Sequence, residues 1–217
     1  MESSNTGLTR TLLACGLVAG PLYVGVSLVQ AFTRDGFDIT RHTWSLLANG
    51  DLGWLQITNF LVTGLLTIAC AVGMRQALRG QRGGTWGPVL VAIYGLGLMA
   101  AGVFTADPMD GFPRGTPLGP PAAISWHGIL HLVCGAIGFA AMIAACFVLA
   151  RRFAGLGQRG WAWYSRATGI VFFAAFAGIA SGSSQPAIVL SFVSAVILVW
   201  VWLALVSARL RTATAWR

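Results

Sequence analysis

The sequence contains no lysine, and charged residues make up only 9% of it. Soluble domains usually carry about 25% charged residues, so the composition excludes an ordinary soluble globular domain. The four cysteines lie inside apolar runs, and their spacing matches neither a zinc-binding nor a Cys-x-x-Cys redox pattern. Histidine is also scarce, with three residues. The positions of the few titratable side chains therefore hold most of the information about function.

Apolar residues make up 56% of the sequence, and the mean hydropathy is +0.75. Six apolar runs are each long enough to cross the roughly 30 Å hydrocarbon core of a bilayer as a helix. The first run is also compatible with a signal peptide cleaved after Ala31, but its length favours a retained helix, because signal h-regions usually have about 7–15 residues. We predict one all-α integral membrane domain over residues 1–217, with transmembrane helices over residues 12–32, 54–74, 86–106, 126–150, 161–181 and 187–208.

The net charge of +8 comes from fourteen arginines and six acids. The arginines are spread over short loops between the apolar runs, which excludes a nucleic-acid-binding surface and leaves membrane lipid as the expected partner. With six helices, eleven arginines and one acid fall on one side of the membrane, whereas three arginines and five aspartates fall on the other. The positive-inside rule then predicts a multi-pass protein of a prokaryotic cytoplasmic membrane, with both termini in the cytoplasm.

Two of the three histidines, His127 and His131, lie four residues apart at the start of the fourth run. On a helix this spacing puts both imidazoles on one face, one turn apart. Ionisable groups at membrane depth are costly and usually functional. The third histidine, His42, and the aspartates Asp107 and Asp110 lie in the two loops predicted for the same side. We therefore predict that these loops and the start of the fourth helix converge on one polar pocket.

One arrangement of this pocket is a metal site. Zinc accepts three imidazoles with a water at an open position, and His42, His127 and His131 are the candidate ligands. Zinc would lower the pKa of that water to about 7, and Asp107 and Ser45 are the candidate catalytic groups. The whole predicted pocket consists of Asp38, Arg41, His42, Ser45, Asn49, Asp51, Asn59, Asp107, Asp110, His127, His131 and Gln185.

The alternative is a metal-free network of hydrogen bonds between the same side chains. His131 would then bond to Asn59, or to Ser184 and Gln185 across the bundle, and Asp38 would pair with Arg41. Haem is disfavoured, because it would need histidines at matched depths on separate helices, whereas only the fourth run contains any. The sequence therefore leaves the cofactor open, with zinc favoured over haem.

Three motifs resemble a known family. They are residues 49–56 (Asn-Gly-Asp-Leu-Gly-Trp-Leu-Gln), residues 106–113 (Ala-Asp-Pro-Met-Asp-Gly-Phe-Pro) and residues 126–131 (Trp-His-Gly-Ile-Leu-His). In these motifs the chain resembles an uncharacterised prokaryotic integral membrane family, the domain of unknown function 998. The resemblance implies a small multi-span membrane protein, and it brings no activity, substrate or catalytic residue.

A weaker likeness is to the membrane hydrolases that include alkaline ceramidases and adiponectin receptors. They are similar in having three histidines, a serine and an aspartate, which here correspond to His42, His127, His131, Ser45 and Asp107. The likeness implies metal-dependent hydrolysis. The two differ in that those proteins have seven core helices with the histidine pair on the last one, and their serine precedes the first histidine.

Three classes of function therefore remain open. The protein binds or acts on a lipid or another amphiphile, or it is a metal-dependent hydrolase, or it is a non-catalytic partner subunit or sensor. A transporter is disfavoured, because transporters usually place charged groups or broken helices at mid-membrane, whereas the polar residues here are confined to one side. The sequence leaves the oligomeric state open as well.

The orientation can be tested with a topology reporter. We expect a reporter that is active only in the periplasm to be inactive when it is fused after Arg217, because the arginine-rich side should face the cytoplasm. A fusion after Gly119, in the acidic loop, is the active control. Periplasmic activity of the fusion after Arg217 would overturn the predicted orientation.

Overall fold

The computed structural model describes the backbone of residues 2–214 and the side chains of residues 6–214. Within that range the chain has no strand, and six of its helices are long and apolar enough to cross a membrane, which makes it a multi-pass membrane protein. Arg217 and the Glu2 side chain, which the charge count above includes, lie outside the described residues. The helices are α1 (Glu2–Thr33), α2 (Gly53–Ala77), α3 (Trp86–Val103), α4 (Trp126–Gly155), α5 (Arg159–Ala180) and α6 (Pro186–Ala213).

The prediction of six helices is confirmed, and the observed helices differ from the apolar runs mainly at their ends. At the arginine-rich ends they run further, since α4 continues through Arg152 to Gly155 and α6 continues to Ala213. Arginine is a good helix former, and its long side chain keeps the charge away from hydrocarbon. By contrast, α3 ends three residues earlier than predicted, at Val103.

The six helices form a closed ring in which each helix packs against its neighbours along the chain and α6 packs against α1. Glycines allow close crossings in part of this ring. A Cβ atom at Gly95 of α3 would lie 2.8 Å from the carbonyl oxygen of Gly64 in α2, and one at Gly97 would lie 3.0 Å from the Cα of Gly138 in α4. Small residues at such crossings let membrane helices gain packing contacts between their backbones. Helices α2, α3 and α4 are therefore held close together.

Aromatic side chains fill the centre of the ring. Trp200 of α6 lies between Tyr23 of α1 and Tyr94 of α3, with ring centroids 5.2 and 5.6 Å apart. Phe139 of α4 contacts Tyr94 at 6.4 Å and packs edge-on against Phe172 of α5 at 5.3 Å. Tilted and edge-on pairs of this kind are favourable for aromatic rings. At this depth the centre of the ring is a packed core.

The connections between the helices lie at two ends of the bundle. Residues 34–52, 104–125 and 181–185 connect helices at one end, named the acidic end because all five aspartates are there. Residues 78–85 and 156–158 connect helices at the other end, the basic end, where Arg152 donates to the Gln81 side chain (2.6 Å) and the Arg82 carbonyl (3.1 Å). The two ends therefore differ in charge, and the cytoplasmic location of the basic end stays a prediction.

We expect Gly95→Ala to destabilise the bundle, because the added methyl group would lie 2.8 Å from the Gly64 carbonyl oxygen and push α2 and α3 apart. Overpacking of this kind typically costs about 1–3 kcal/mol, so the Tm in detergent micelles should fall. Gly25→Ala is the matched control, because a Cβ atom at Gly25 meets nothing within 4 Å, and its Tm should stay the same or rise. Equal Tm values for the two variants would contradict the close crossing.

Candidate functional site

The first acidic-end loop, residues 34–52, folds onto the bundle around Arg34. The guanidinium donates hydrogen bonds to the carbonyl oxygens of Leu47 (2.7 Å) and Asn49 (2.6 Å), and it lies over the Phe112 ring, 5.1 Å from the centroid. Hydrogen bonds from a charged donor are the stronger kind. The short 3₁₀ helix Trp44–Ala48 is thereby held against the helices, with most of its side chains buried.

His42 joins this loop to the second acidic-end loop, residues 104–125. The backbone N–H of Asp38 donates to Nδ1 (2.9 Å), and Nε2 donates to the backbone carbonyl of Asp110 (3.0 Å). Because a carbonyl oxygen can only accept, the proton of the neutral ring is on Nε2. Phe37 and Phe112 pack against the ring at 5.2 and 5.6 Å, and His42 is only 2% exposed. Both nitrogens are therefore used within the protein, and neither has a lone pair left for a metal ion.

Asp38 and Arg34 keep their charges at neutral pH. The Asp38 carboxylate accepts hydrogen bonds from the hydroxyl and the N–H of Thr40 (2.7 and 2.9 Å), and these bonds lower its pKa. Their contribution to stability is complete above the ordinary pKa of 3.8 and is lost as the pH falls through the lower folded-state pKa. Burial lowers the pKa of Arg34 while the Asp51 carboxylate acts in the opposite direction, and arginine stays protonated at neutral pH.

Asp107, in the second loop, caps the start of α4 together with Ser125. The hydroxyl and the N–H of Ser125 donate to the two carboxylate oxygens of Asp107 (2.6 and 2.9 Å), and the N–H of Gly128 donates to the Ser125 hydroxyl (3.0 Å). A Cβ atom at position 128 would collide with the carboxylate, which favours glycine there. A serine and a carboxylate at this end satisfy free backbone N–H groups and complement the helix dipole. This cap fixes where α4 begins.

His127 and His131 both use Nδ1 to bind carbonyl oxygens at the end of α3. Nδ1 of His127 lies 2.9 Å from the Thr105 oxygen, and Nδ1 of His131 lies 2.8 Å from the Phe104 oxygen and 3.3 Å from the Ala101 oxygen. Carbonyl groups at the end of a helix have no helical N–H left to bind them. Since carbonyl oxygens only accept, each Nδ1 has a proton, and Nε2 of each neutral ring keeps its lone pair.

A cavity of about 350 Å³ lies inside the ring next to the acidic-end loops. All six helices contribute apolar side chains to its wall. The side chains in the wall that contain polar atoms are His131, Thr43, Ser45, Tyr23, Tyr94 and Trp44. The indole N–H of Trp44 is buried and has no hydrogen-bond partner among the described residues. At a rise of about 1.5 Å per residue, Tyr94 lies roughly 10 Å along α3 from the level at which His131 contacts that helix. The cavity therefore extends from the loops to the central aromatic side chains.

Two of the twelve side chains of the predicted pocket, Ser45 and His131, line this cavity. The others lie around it. Five are held by hydrogen bonds in the acidic-end loops or at the start of α4: His42, Asn49, Asp107, Asp110 and His127. Four are exposed: Asp38, Arg41, Asp51 and Gln185. Asn59 belongs to a separate polar cluster.

That cluster joins α1 to α2. Gln30 donates to the side-chain oxygen of Gln56 (2.9 Å), and Asn59 donates to the backbone carbonyl of Tyr23 (3.1 Å). Ser27 also donates to Gln56, at 3.3 Å. Asn59 also donates to Ser27 of α1 and to Gln56 of its own helix, both at 3.3 Å, and His131 is not among these partners. Sequence reasoning missed the cluster, although the polar pairs at positions 27 and 30 and at positions 56 and 59 show the spacing of one helix face.

In this arrangement the three histidines mainly form hydrogen bonds with backbone groups. Among the described residues, no group of three His, Cys, Asp or Glu side chains is placed to hold a metal ion. Arg114 and Asp35, which link the two loops at their surface, form an ion pair at 3.6 Å, and such exposed pairs contribute little to stability. Thr43, Tyr23 and Tyr94, which the sequence did not single out, join His131 and Ser45 in the wall of the cavity.

We expect His42→Phe to loosen both acidic-end loops. Phenylalanine keeps the aromatic packing but leaves the partly buried N–H of Asp38 and the buried carbonyl of Asp110 without their partners. A buried unsatisfied group costs about 1–3 kcal/mol. Limited proteolysis should cut residues 34–52 and 104–125 faster in the variant, and the Tm should fall. Arg41→Ala changes an exposed neighbour and is the control. Unchanged proteolysis of His42→Phe would show that the two loops are held together by other contacts.

Comparison with known proteins gives one match. The sequence model of the family described as "Protein of unknown function (DUF998)" matches residues 17–209. No curated protein and no solved structure matches the chain.

Proposed function

The chain belongs to the DUF998 family of proteins of unknown function, and we propose that its cavity binds the apolar chain of a membrane amphiphile. The observation that supports this proposal is the cavity itself. Its volume of about 350 Å³ falls within the range of roughly 300–1,000 Å³ that is usual for small-molecule sites, and such sites combine an apolar wall with a few polar groups. The cavity has this composition.

The polar groups of the cavity support an orientation for the ligand. His131, Thr43 and Ser45 line it near the acidic-end loops, whereas Phe139 and Phe176 line it nearer the central aromatic core. An amphiphile would therefore place its headgroup near the loops and its chain among the aromatic side chains. This arrangement would let the chain fill the cavity and gain dispersion contacts with its apolar wall, while it leaves the headgroup close to hydrogen-bonding side chains.

The wall of the cavity also supports entry from the membrane. Leu132 of α4 and Ala180 of α5 both line the cavity and are exposed at the bundle surface, Leu132 to 60%. Helix α5 ends at Ala180, while the facing helix α4 extends to Trp126. The gap between these two helices would admit a lipid chain from the side without passage through water. With the basic end in the cytoplasm of a prokaryote, the ligand would come from the outer leaflet.

Binding is favoured over hydrolysis by the contacts of the two candidate catalytic groups. Asp107 accepts hydrogen bonds from Ser125 at the α4 cap, and the Ser45 hydroxyl lies 3.1 Å from that of Thr43. A nucleophilic serine needs a base within hydrogen-bond reach, and neither contact supplies one. The described contacts therefore favour a binding site, which is compatible with a lipid-binding, sensing or partner role.

We expect Gly135→Leu to block the ligand. Gly135 lines the cavity, and a Cβ atom there would meet nothing within 4 Å, so the leucine side chain would occupy the cavity without moving α4. The full chain in phosphatidylcholine nanodiscs would be labelled with hexadecanol that carries a diazirine on its chain, and labelled peptides would be quantified by mass spectrometry. Labelling of the peptides from α4 to α6 that line the cavity should fall about tenfold or more, the factor that a loss of about 1.4 kcal/mol produces.

Gly25→Leu is the matched control, because Gly25 also lies in a helix, is exposed, and has nothing within 4 Å of its Cβ position. Its labelling should equal that of the wild type. Equal labelling of the cavity peptides in all three proteins would overturn the proposed function, since the probe would then be bound at the lipid-facing surface only.

A further inference from the structure

We infer that the cavity selects an uncharged amphiphile, such as a long-chain alcohol, whose hydroxyl group donates a hydrogen bond to Nε2 of His131. This inference rests on the proposed function and adds the chemical class of the headgroup. Three observations support it: the tautomer of His131, the lack of charge in the cavity wall, and the contrast with His127.

The hydrogen bonds of His131 fix which nitrogen can receive a ligand. Its Nδ1 lies 2.8 Å from the carbonyl oxygen of Phe104 and 3.3 Å from that of Ala101. Both partners are acceptors, so the proton of the neutral ring is on Nδ1 and the lone pair is on Nε2. His131 is 8% exposed and lines the cavity. A ligand that donates a hydrogen bond therefore finds an acceptor whose orientation is already set by the backbone of α3.

The wall of the cavity offers no charge to balance a charged headgroup. Among the described residues that line it there is no arginine, aspartate or glutamate. A phosphate or a carboxylate brought into this space would lose its hydration without a counter-charge, and a protonated imidazole would face the same cost. The hydroxyls of Thr43 and Ser45, 3.1 Å apart, can accept or donate a hydrogen bond to a neutral headgroup. The polar end of the cavity thus matches a hydroxyl-bearing headgroup.

His127 makes the same kind of hydrogen bond to α3 as His131 but does not line the cavity. It binds the carbonyl oxygen of Thr105 through Nδ1 at 2.9 Å, one helical turn from His131, and it is not among the residues that line the cavity. The two histidines share their structural bond to the end of α3 and differ in whether they line the cavity. They therefore form an internal pair of test and control positions.

The experiment uses His131→Asn and His127→Asn in the full chain. The asparagine amide can reproduce the N–H of Nδ1, which preserves the bond to α3, but it has no equivalent of Nε2. Competition with the diazirine-bearing hexadecanol in phosphatidylcholine nanodiscs would measure the relative affinities of hexadecanol, hexadecyl methyl ether and hexadecyl phosphate. The ether lacks the O–H donor, and the phosphate is charged.

We expect the wild type and His127→Asn to bind hexadecanol about fivefold more tightly than the ether, the factor of one net hydrogen bond, and the phosphate more weakly still. His131→Asn should bind the alcohol and the ether equally, with a Tm close to that of His127→Asn. A preference for the alcohol that persists in His131→Asn, or tighter binding of the phosphate in the wild type, would overturn the inference and leave the proposed function standing. If Gly135→Leu does not reduce hexadecanol labelling, both fall.

Discussion

The constraint on which the structure depends is that backbone polar groups near hydrocarbon must find partners inside the protein. It is most demanding at the end of α3, where the carbonyl groups of Phe104 and Thr105 lie beyond the last helical residue, Val103. His127 and His131 supply the missing donors from the neighbouring helix. Their spacing of one helical turn places the two imidazole N–H groups on the face of α4 that packs against α3. The main structural role of the histidine pair is therefore to bind the free carbonyl groups at the end of α3, so that this helix can end inside the bundle.

The same constraint shapes the acidic-end loops. Asp107 binds the start of α4, His42 bridges backbone groups of both loops, and Arg34 binds two carbonyl oxygens of the first loop. In each case a side chain forms hydrogen bonds with backbone groups that have no partner within a helix. Most of the polar residues at this end therefore stabilise the fold. The exception is Nε2 of His131, because Nδ1 makes the structural bond, no described hydrogen bond uses Nε2, and the residue lines the cavity.

The sequence predicted the six helices well because each requires an apolar run of about 20 residues, interrupted in α5 by Arg166, and such runs are visible without knowledge of tertiary contacts. It predicted less of the site. His131 and Ser45 line the cavity, but the partners of the histidines are backbone carbonyls, which have no signature in a sequence. Tyr23 and Tyr94 also escaped notice, because a helix that is apolar on all sides shows no periodic pattern to reveal which face is turned inward.

The cavity follows from the way in which the ring is closed. Glycines such as Gly95 and Gly97 bring α2, α3 and α4 together, whereas α5 ends at Ala180 and leaves the first turns of α4 without a neighbour on that side. An apolar cavity lowers stability in proportion to its empty volume, and under the proposed function a lipid chain would fill that volume. Any chain of suitable size would provide this gain, since apolar burial is not directional. Discrimination between ligands must therefore come from the headgroup, and His131 contributes to the cavity wall an acceptor whose tautomer is fixed in advance by the fold.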